Sequence, residues 1–411
     1  MHLRYNFRLY PTQRQRSSLA NVFGCARVVF NDALAARKAA YGAGNRHISD
    51  GDLLKLVTTQ AKRTPEREWL REAPAAVLQQ AVSDLNTAYR NYFNSIAGKF
   101  GGVKIGHPRF RSRKDNRQAV RYTRNTCFKV TASGKLRLPK VGDVHVRWSR
   151  RLPSDPSSVT IVKDAAGRYF ASFVVQTDPS EALPETTGEI GIDLGLTHFA
   201  VLSDGRKESS PKFLRRAERK LRKAQKALSR KEKGSNNRKK AATRVARLHA
   251  QVADARRDNH HKLSTKIIRE NQAVYVENLN VVGLARTRMG KSVRDAGWSM
   301  FVNMLEYKAT RYGRTFQRVD RRFPSSQICS ACGVKDGPKP LNVRTWMCQD
   351  CDTMHDRDVN AARNILNEGK RIVAAGHADT ENACGAQVRP VLVPAQRSES
   401  GSRPKSHPSM R

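Results

Sequence analysis

Four cysteines and a small set of carboxylates carry the chemistry of this sequence. Cys329 and Cys332 form one Cys-x-x-Cys pair, CSAC, and Cys348 and Cys351 form a second, CQDC, with fifteen residues between them. Two residues between cysteines let both sulfurs face one ion, and two such pairs complete a tetrahedron. Zinc prefers thiolates, and four protein ligands leave no open position for catalysis, so the spacing predicts one structural zinc. Such binding is worth roughly 10 to 16 kcal/mol in small zinc modules, enough to fold a segment with almost no apolar core. The competing chemistry, a pair of redox-active Cys-x-x-Cys sites, does not come doubled at this spacing. Cys25, Cys127 and Cys384 stand alone, which suits a reducing compartment better than a disulfide framework.

The carboxylates are less self-evident. Asp193 lies in EIGIDLGL, one acid among apolar residues in what reads as a buried strand, where an unpaired charge is expensive. Glu277 closes the strand AVYVE, and the carboxyl ends of strands in α/β sheets are where sites are built. Asp356 and Asp358 open HDRDVNAARNIL, in which Val359, Ala362, Ile365 and Leu366 mark the core-facing side of a helix. Taken singly, these acids could be a turn residue, a solvated strand end and helix caps. A divalent metal shared among them is the alternative that neutralises all of them at once.

These groups need elements to hold them. LRYNFRLY reads as a strand ended by Pro11, and Thr12 with Gln15 forms a capping box for a following helix. Leu19, Val22, Phe23, Ala26, Val29, Phe30, Ala33 and Leu34 recur at the helical period, as do Leu78, Val82, Leu85, Tyr89, Phe93 and Ile96, predicting a small helical bundle. A basic loop, GGVKIGHPRFRSR, leads to KLRLPK, VHVRW, SVTIV and RYFASFVV, short strands of an antiparallel module. Near Pro184 a new domain begins, with two or three strands and a tight turn at Asp204-Gly205. Two basic helices follow, broken at Gly234, Ser235 and Asn236, and then the strand AVYVENL. The final thirty or so residues, rich in Ser, Pro, Arg and Gly, cannot pay for their own ordering. No solenoid repeat is visible.

Charge narrows the partners. The 411 residues carry 77 Lys and Arg against 36 Asp and Glu, a formal net charge of +41, so the chain must seek a polyanion. Residues 211 to 250 alone hold sixteen Lys or Arg and two Glu. Arg215, Arg219 and Arg222 there, and Arg109, Phe110 and Arg111 in the loop, are candidates to follow a phosphate backbone or stack on a base. Gln79 and Gln80 are candidate amide readers of adenine. No uninterrupted apolar run approaches the roughly 18 residues of a spanning helix, and MHLRYNFRLYP lacks the apolar core of a secretory signal, so the expected location is inside the cell with no membrane partner.

As a set, an Asp in the first strand of a hairpin unit, a Glu ending a later strand and an Asp starting a late helix form the RNase H-like pattern. IGIDLG, VYVENL and HDRDVNAARNI, with a four-cysteine ribbon between the last two, resemble the three RuvC motifs of the TnpB family. These are RNA-guided nucleases carried by insertion sequences and related to the type V CRISPR effectors. FRLYPTQRQ, GHPRFRSR, LRLPKVG, DAGW and PSSQICSACG extend the resemblance over all but the tail.

The resemblance implies an α+β multidomain chain. Residues 1–10 with 119–182 would form a β-barrel wedge module and 11–118 an inserted helical recognition bundle. Residues 186–324 with 354–375 would form a RuvC-like α/β nuclease domain, 325–353 its zinc ribbon, and 376–411 a disordered tail. It also implies catalytic acids at Asp193, Glu277 and Asp358, with Asp356 a cap, and a guide RNA from the element's end that selects target double-stranded DNA beside a short flanking motif. Three converging carboxylates could hold two Mg²⁺ ions for in-line attack on phosphorus, leaving 5′-phosphate and 3′-hydroxyl ends. The expected setting is the nucleoid of a prokaryotic cell. A transposase would use the same acids for strand transfer, and an RNA-guided regulator would have lost them; the intact acids oppose the latter. Lying between Glu277 and Asp358, the zinc ribbon is expected to fix the approach of the Asp358 segment or of the substrate strand.

Overall fold

Strand β1 (His2–Tyr10) buries every second side chain, Tyr5, Phe7 and Leu9, as a strand with one face on a core must. The computed structural model describes residues 2–45, 47–100, 104–126, 128–177, 182–340 and 342–384. Cys127 and part of the GGVKIG segment lie outside them. The chain divides into two compact units: one takes Met1–Thr186, Pro211–Glu270 and Ala285–Arg314, the other Thr187–Ser210, Asn271–Leu284 and the chain from Thr315 onward.

In the first unit, the capping box forms as expected. Thr12 Oγ1 accepts from the Gln15 N–H at 3.3 Å, and Gln15 Oε1 accepts from the Thr12 N–H at 3.0 Å. It starts α1 (Gln13–Gly42), whose apolar stripe from Leu19 to Leu34 is buried. By length and hydropathy α1 could also cross a membrane. Its stripe is instead part of a core shared with α3 (Ala75–Ile96) and the sheet. The short α2 (Asp50–Leu54) and irregular turns connect α1 to α3. The apolar period of α3 outruns this core: Leu78, Val82 and Leu85 are buried, but Phe93 and Ile96 remain 60% and 66% exposed. Phe93 packs on Tyr89 and Tyr92 of its own helix rather than on the core.

Strands β2 (Gln118–Thr123), β3 (Lys129–Val130), β4 (Leu136–Leu138), β5 (Gly142–Arg147), β6 (Ser158–Lys163) and β7 (Tyr169–Gln176) join β1 in a seven-stranded antiparallel sheet, ordered β2-β6-β7-β1-β5-β4-β3. The same unit holds the basic pair α4 (Phe213–Ser229) and α5 (Asn236–Glu270), separated at Gly234 with φ +93°. It also holds α7 (Gly290–Ala296) and α8 (Trp298–Tyr312). Lys212 offers α4 no side-chain cap. Buried Asp295 supplies it from α7, accepting from the N–H groups of Leu214 (2.9 Å) and Arg215 (3.3 Å) while paired with Arg256 at 3.1 Å. The DAGW segment is thus a tertiary helix cap followed by Gly297, φ +71°, where a Cβ would meet Arg256 Cδ at 2.9 Å.

The second unit is built on β8 (Glu189–Asp193), β9 (His198–Leu202), β10 (Lys207–Ser209), β11 (Ala273–Glu277) and β12 (Thr315–Val319), ordered β10-β9-β8-β11-β12. The first three are antiparallel, whereas β8, β11 and β12 run parallel. Strands β8 and β11 are buried on both faces, which is why they read as continuous apolar runs. The short α6 (Val281–Leu284) follows β11. A ribbon of β13 (Thr345–Met347) and β14 (Met354–Asp356) leads into α9 (Arg357–Cys384). That helix runs into the stretch 376–411 expected to be a tail, and residues 385–411 lie outside those described.

Helix α9 packs against the sheet through two glycines. A Cβ at Gly191 would lie 2.1 Å from the Ala362 carbonyl oxygen, and one at Gly369 would lie 2.2 Å from the Tyr275 ring. Backbone cannot yield as a side-chain tip can, so Gly191→Ala must push α9 away from β8. Urea unfolding of Gly191→Ala is expected to show a loss of about 2 kcal/mol or more, the usual cost of overpacking.

Candidate active site and metal centre

Strands β8 and β11 are in register with Ile192 opposite Val276, so Asp193 and Glu277 emerge side by side where both strands end. Their carboxyl groups are hydrogen-bonded to each other. Glu277 Oε1 also accepts the Leu194 N–H at 2.9 Å. Burial pushes Asp193 well above the usual carboxylate range, and the charges of Glu277 and Asp358 push it the same way. Glu277 is raised by burial, against the pull of the Leu194 N–H and of Asp193. Two carboxyls in this arrangement hold a proton between them unless a cation replaces it. That donor set fits a divalent metal ion.

Asp358, in the first turn of α9, is near enough for its charge to act on Asp193 but stands outside the hydrogen-bonded pair. Arg344 Nη1 lies 3.4 Å from each of its oxygens. Nothing in the RTWMC stretch flags Arg344. Its place follows from the ribbon, where the Arg357 N–H donates to the Arg344 carbonyl at 2.8 Å. Asp356 acts as the cap, accepting from the N–H groups of Asp358 (3.1 Å) and Val359 (3.0 Å). Against the cost of its burial, Lys207 at 2.6 Å and the Val359 N–H hold Asp356 below its ordinary range. Beside Glu277 a cavity of about 240 Å³ opens, lined by Asn278, Leu279, Asp320, Arg321 and Phe323 among others.

The Sγ atoms of Cys329, Cys332, Cys348 and Cys351 all lie within 4.8 Å of one another. Cys329 and Cys351 sulfurs are 3.6 Å apart, those of Cys332 and Cys348 3.7 Å. A tetrahedron of sulfurs about 2.3 Å from zinc has edges of about 3.8 Å, so the four residues fit that ion closely. The Thr353 hydroxyl and N–H lower the Cys351 thiol, while, against the Val334 backbone bond, burial and the neighbouring sulfurs raise that of Cys332, as expected of four thiols that share protons when no cation takes their place.

The proposed nucleic-acid contacts fare differently from one another. Arg215, Arg219 and Arg222 share one exposed face of α4, although Arg215 also donates to Ser292 and Arg222 pairs with Glu218 at 3.1 Å. Arg109 and Phe110 are exposed, with Lys38 5.0 Å from the Phe110 ring centroid. Arg111 is drawn inward: it lies over Phe30 and pairs with Asp84, and its backbone N–H and C=O are both bound by Asn31. It anchors the loop. On α3, Gln79 is exposed and Gln80 half-buried.

A carboxyl pair ending adjacent parallel strands, with a four-sulfur cluster leading into a third acid, defines a mixed α/β protein whose four cysteines could hold zinc and whose paired acids have the donor set of a divalent-cation site. Residues 172–288 match the OrfB family model of the IS605 type, described as "Probable transposase", and residues 298–365 match one described as "Cas12f1-like, TNB domain". Residues 1–46 match a helix-turn-helix model, although the described residues among them, 2–45, form β1 and the single helix α1. A Streptomyces pristinaespiralis protein named "Putative RNA-guided DNA endonuclease" is 43% identical over 94% of this chain and 92% of its own. An Escherichia coli K12 relative of the same description is 30% identical over 90% of this chain and 93% of its own. The chain belongs to the TnpB family, the OrfB proteins of transposable elements. A Cas12f1–sgRNA–target DNA complex shares the fold, with a TM-score of 0.52 over 87% of this chain and 83% of that one at 13% identity.

Two outcomes follow from the geometry. Because folding raises the Asp193 carboxyl, the folded chain binds more protons than the unfolded one and loses stability as pH climbs above the ordinary carboxylate range. In chelator at about pH 8, Asp193→Asn is expected to melt above wild type, and the gap should close below about pH 4, where the acid is neutral in both states. Elemental analysis should find one zinc per chain in wild type and a clear deficit in Cys348→Ser.

Proposed function

We propose that this chain is an RNA-guided, Mg²⁺-dependent DNA endonuclease of a transposable element, cutting target DNA beside a short flanking motif. The observation that carries the proposal is the buried carboxyl pair of Asp193 and Glu277 at the ends of adjacent parallel strands, with Asp358 in the helix laid across them. The strand order of the second unit supports an RNase H-like, RuvC-type domain holding these acids, with residues 325–353 as its zinc ribbon and the seven-stranded sheet as the wedge module. Guide RNA and target DNA as partners rest on the relatives' names, on the complex sharing the fold and on the charge of +41.

Asp193, Glu277 and Asp358 would hold the catalytic Mg²⁺. Bound there, it supplies Lewis acidity and an activated water for attack on phosphorus. The protein's own work is to keep two carboxyls together where water is scarce, release their shared proton when a cation enters, and bring the third acid in from α9. Arg344 is placed to balance Asp358 before the cation does so. The exposed arginines of α4 and the exposed Arg109–Phe110 loop would supply phosphate and base contacts.

The test is to purify the chain with its RNA, sequence that RNA, and assay cleavage of matching DNA under Mg²⁺. Asp193→Ala is expected to lower cutting by at least about a thousandfold, in the range of lost metal or electrostatic catalysis, while leaving RNA binding intact. Undiminished cutting would sink the assignment. Joining of a labelled element end in the same assay would favour a strand-transferring transposase instead, the activity named by the matching family model.

A further inference from the structure

Backbone bonds within the knuckle take the Cys329 N–H, to Val334 at 2.9 Å, and the Cys329 carbonyl, from Gly333 at 2.9 Å, while the Ile328 carbonyl and the Ser330 N–H are bound by side chains of α9. Asn360, 1% exposed, accepts the Ser330 N–H on Oδ1 at 2.8 Å and donates from Nδ2 to the Ile328 carbonyl at 2.7 Å. One turn further along α9, Asn364, 4% exposed, donates to the carbonyls of Ser325 (2.8 Å) and Ile328 (2.6 Å). The i, i+4 spacing puts both amides on one face of the helix. A third tie runs to the sulfur itself. His355 Nε2 lies 3.0 Å from Cys329 Sγ, with its buried ring against Trp346 at 4.8 Å between centroids.

These three side chains bracket Asp358. His355 stands before it on β14, and Asn360 and Asn364 follow it on α9. The other partner of Asp358, Arg344, belongs to the same ribbon. Lys207 and Gly191 hold the start of α9 from the sheet side, and the ties from His355, Asn360, Asn364 and Arg344 all run to the segment that carries the four cysteines. Buried amides stabilise only while their partners stay in place, and left unsatisfied each costs about 1 to 3 kcal/mol. Loosening of the Cys329 knuckle would be felt first at Asn360 and Asn364, and hence at the turn carrying Asp358. Ordinary helix-to-ribbon packing is the simpler account of buried amides. It predicts a change in stability but none in how the acids bind cations.

We propose that Asn360 and Asn364 are positioning residues that pass the order of the metal-filled cysteine knuckle to Asp358, so that zinc occupancy sets the divalent-cation affinity of the acid site. The proposal rests on the nuclease reading and deepens it by giving that site a structural control.

The test uses the full chain with its copurified RNA and the variants Asn360→Asp and Asn364→Ala. Asn360→Asp keeps the acceptor for Ser330 and loses the donor to Ile328; Asn364→Ala removes the carboxamide that donates to Ser325 and Ile328 and carries the test if the first variant fails to fold. Zinc content, the rate of zinc loss to a chromophoric chelator, Mn²⁺ binding by magnetic resonance, and cleavage against Mg²⁺ concentration are measured together. Both variants are expected to retain one zinc, release it faster, and need about tenfold more Mg²⁺ for half-maximal cutting, with the maximal rate recovered at high Mg²⁺. Faster zinc release with unchanged Mg²⁺ and Mn²⁺ dependence would overturn the proposal, as would a lowered maximal rate that no Mg²⁺ concentration restores. Weakened Mn²⁺ binding in the variants of a chain whose wild type does not cut would support the positioning role and remove the nuclease reading instead.

Discussion

Two carboxyl groups kept in hydrogen-bond contact away from bulk water are the constraint around which the second unit is arranged. Asp193 and Glu277 would separate if their strands were free to slide. Parallel pairing in fixed register, burial of β8 and β11 on both faces, and α9 laid against Gly191 all prevent this. The unfavourable proximity would be relieved by a cation: a site comfortable when empty would gain little from being filled.

The first unit solves a different electrostatic problem. A chain with this excess of positive charge must present cations on rigid supports, or lose their entropy again on binding. Helix α4 has a poor start of its own, since Lys212 adopts a left-handed conformation and offers no cap. Asp295 reaches in from α7 to bind two of its N–H groups, and Lys291 and Ser292 of the same short helix bind Glu218 and Arg215. The basic face is therefore oriented by tertiary contacts. Arg111 shows the same economy in reverse, its guanidinium going to loop anchoring while Arg109 and Phe110 are left to solvent.

What could be read from sequence was what depends on neighbours along the chain. The Thr12–Gln15 box, the turn at Asp204-Gly205, the break before Asn236, the strands ending at Asp193 and Glu277 and the two cysteine pairs are all local patterns. Strand β12 escaped because its side chains are mostly half-buried and include polar and charged residues, so TFQRV lacks both alternation and an apolar run. Phe93 and Ile96 misled for the opposite reason, since periodicity reports which face is apolar but not where its cover stops. Arg344, His355, Asn360 and Asn364 were invisible as a group: each acts on a partner brought close only by the ribbon turning back onto α9. Asparagines four apart on an otherwise apolar helix face are the one hint that the sequence held.

The second unit is assembled from three separated stretches of chain, with long helical segments of the first unit made in between. At the usual pace of translation, roughly 5 to 20 residues per second, about ten to thirty seconds pass between the emergence of Asp193 and that of Asp358. Once α5 has been made, the nascent chain carries most of its lysines and arginines and can collect nucleic acid, yet still lacks Asp358 and the cysteines that precede it. Capacity to bind arrives before capacity to react. A ribosome that stalls or stops early would release a polycation without chemistry, and only a chain read through to α9 would become a complete protein.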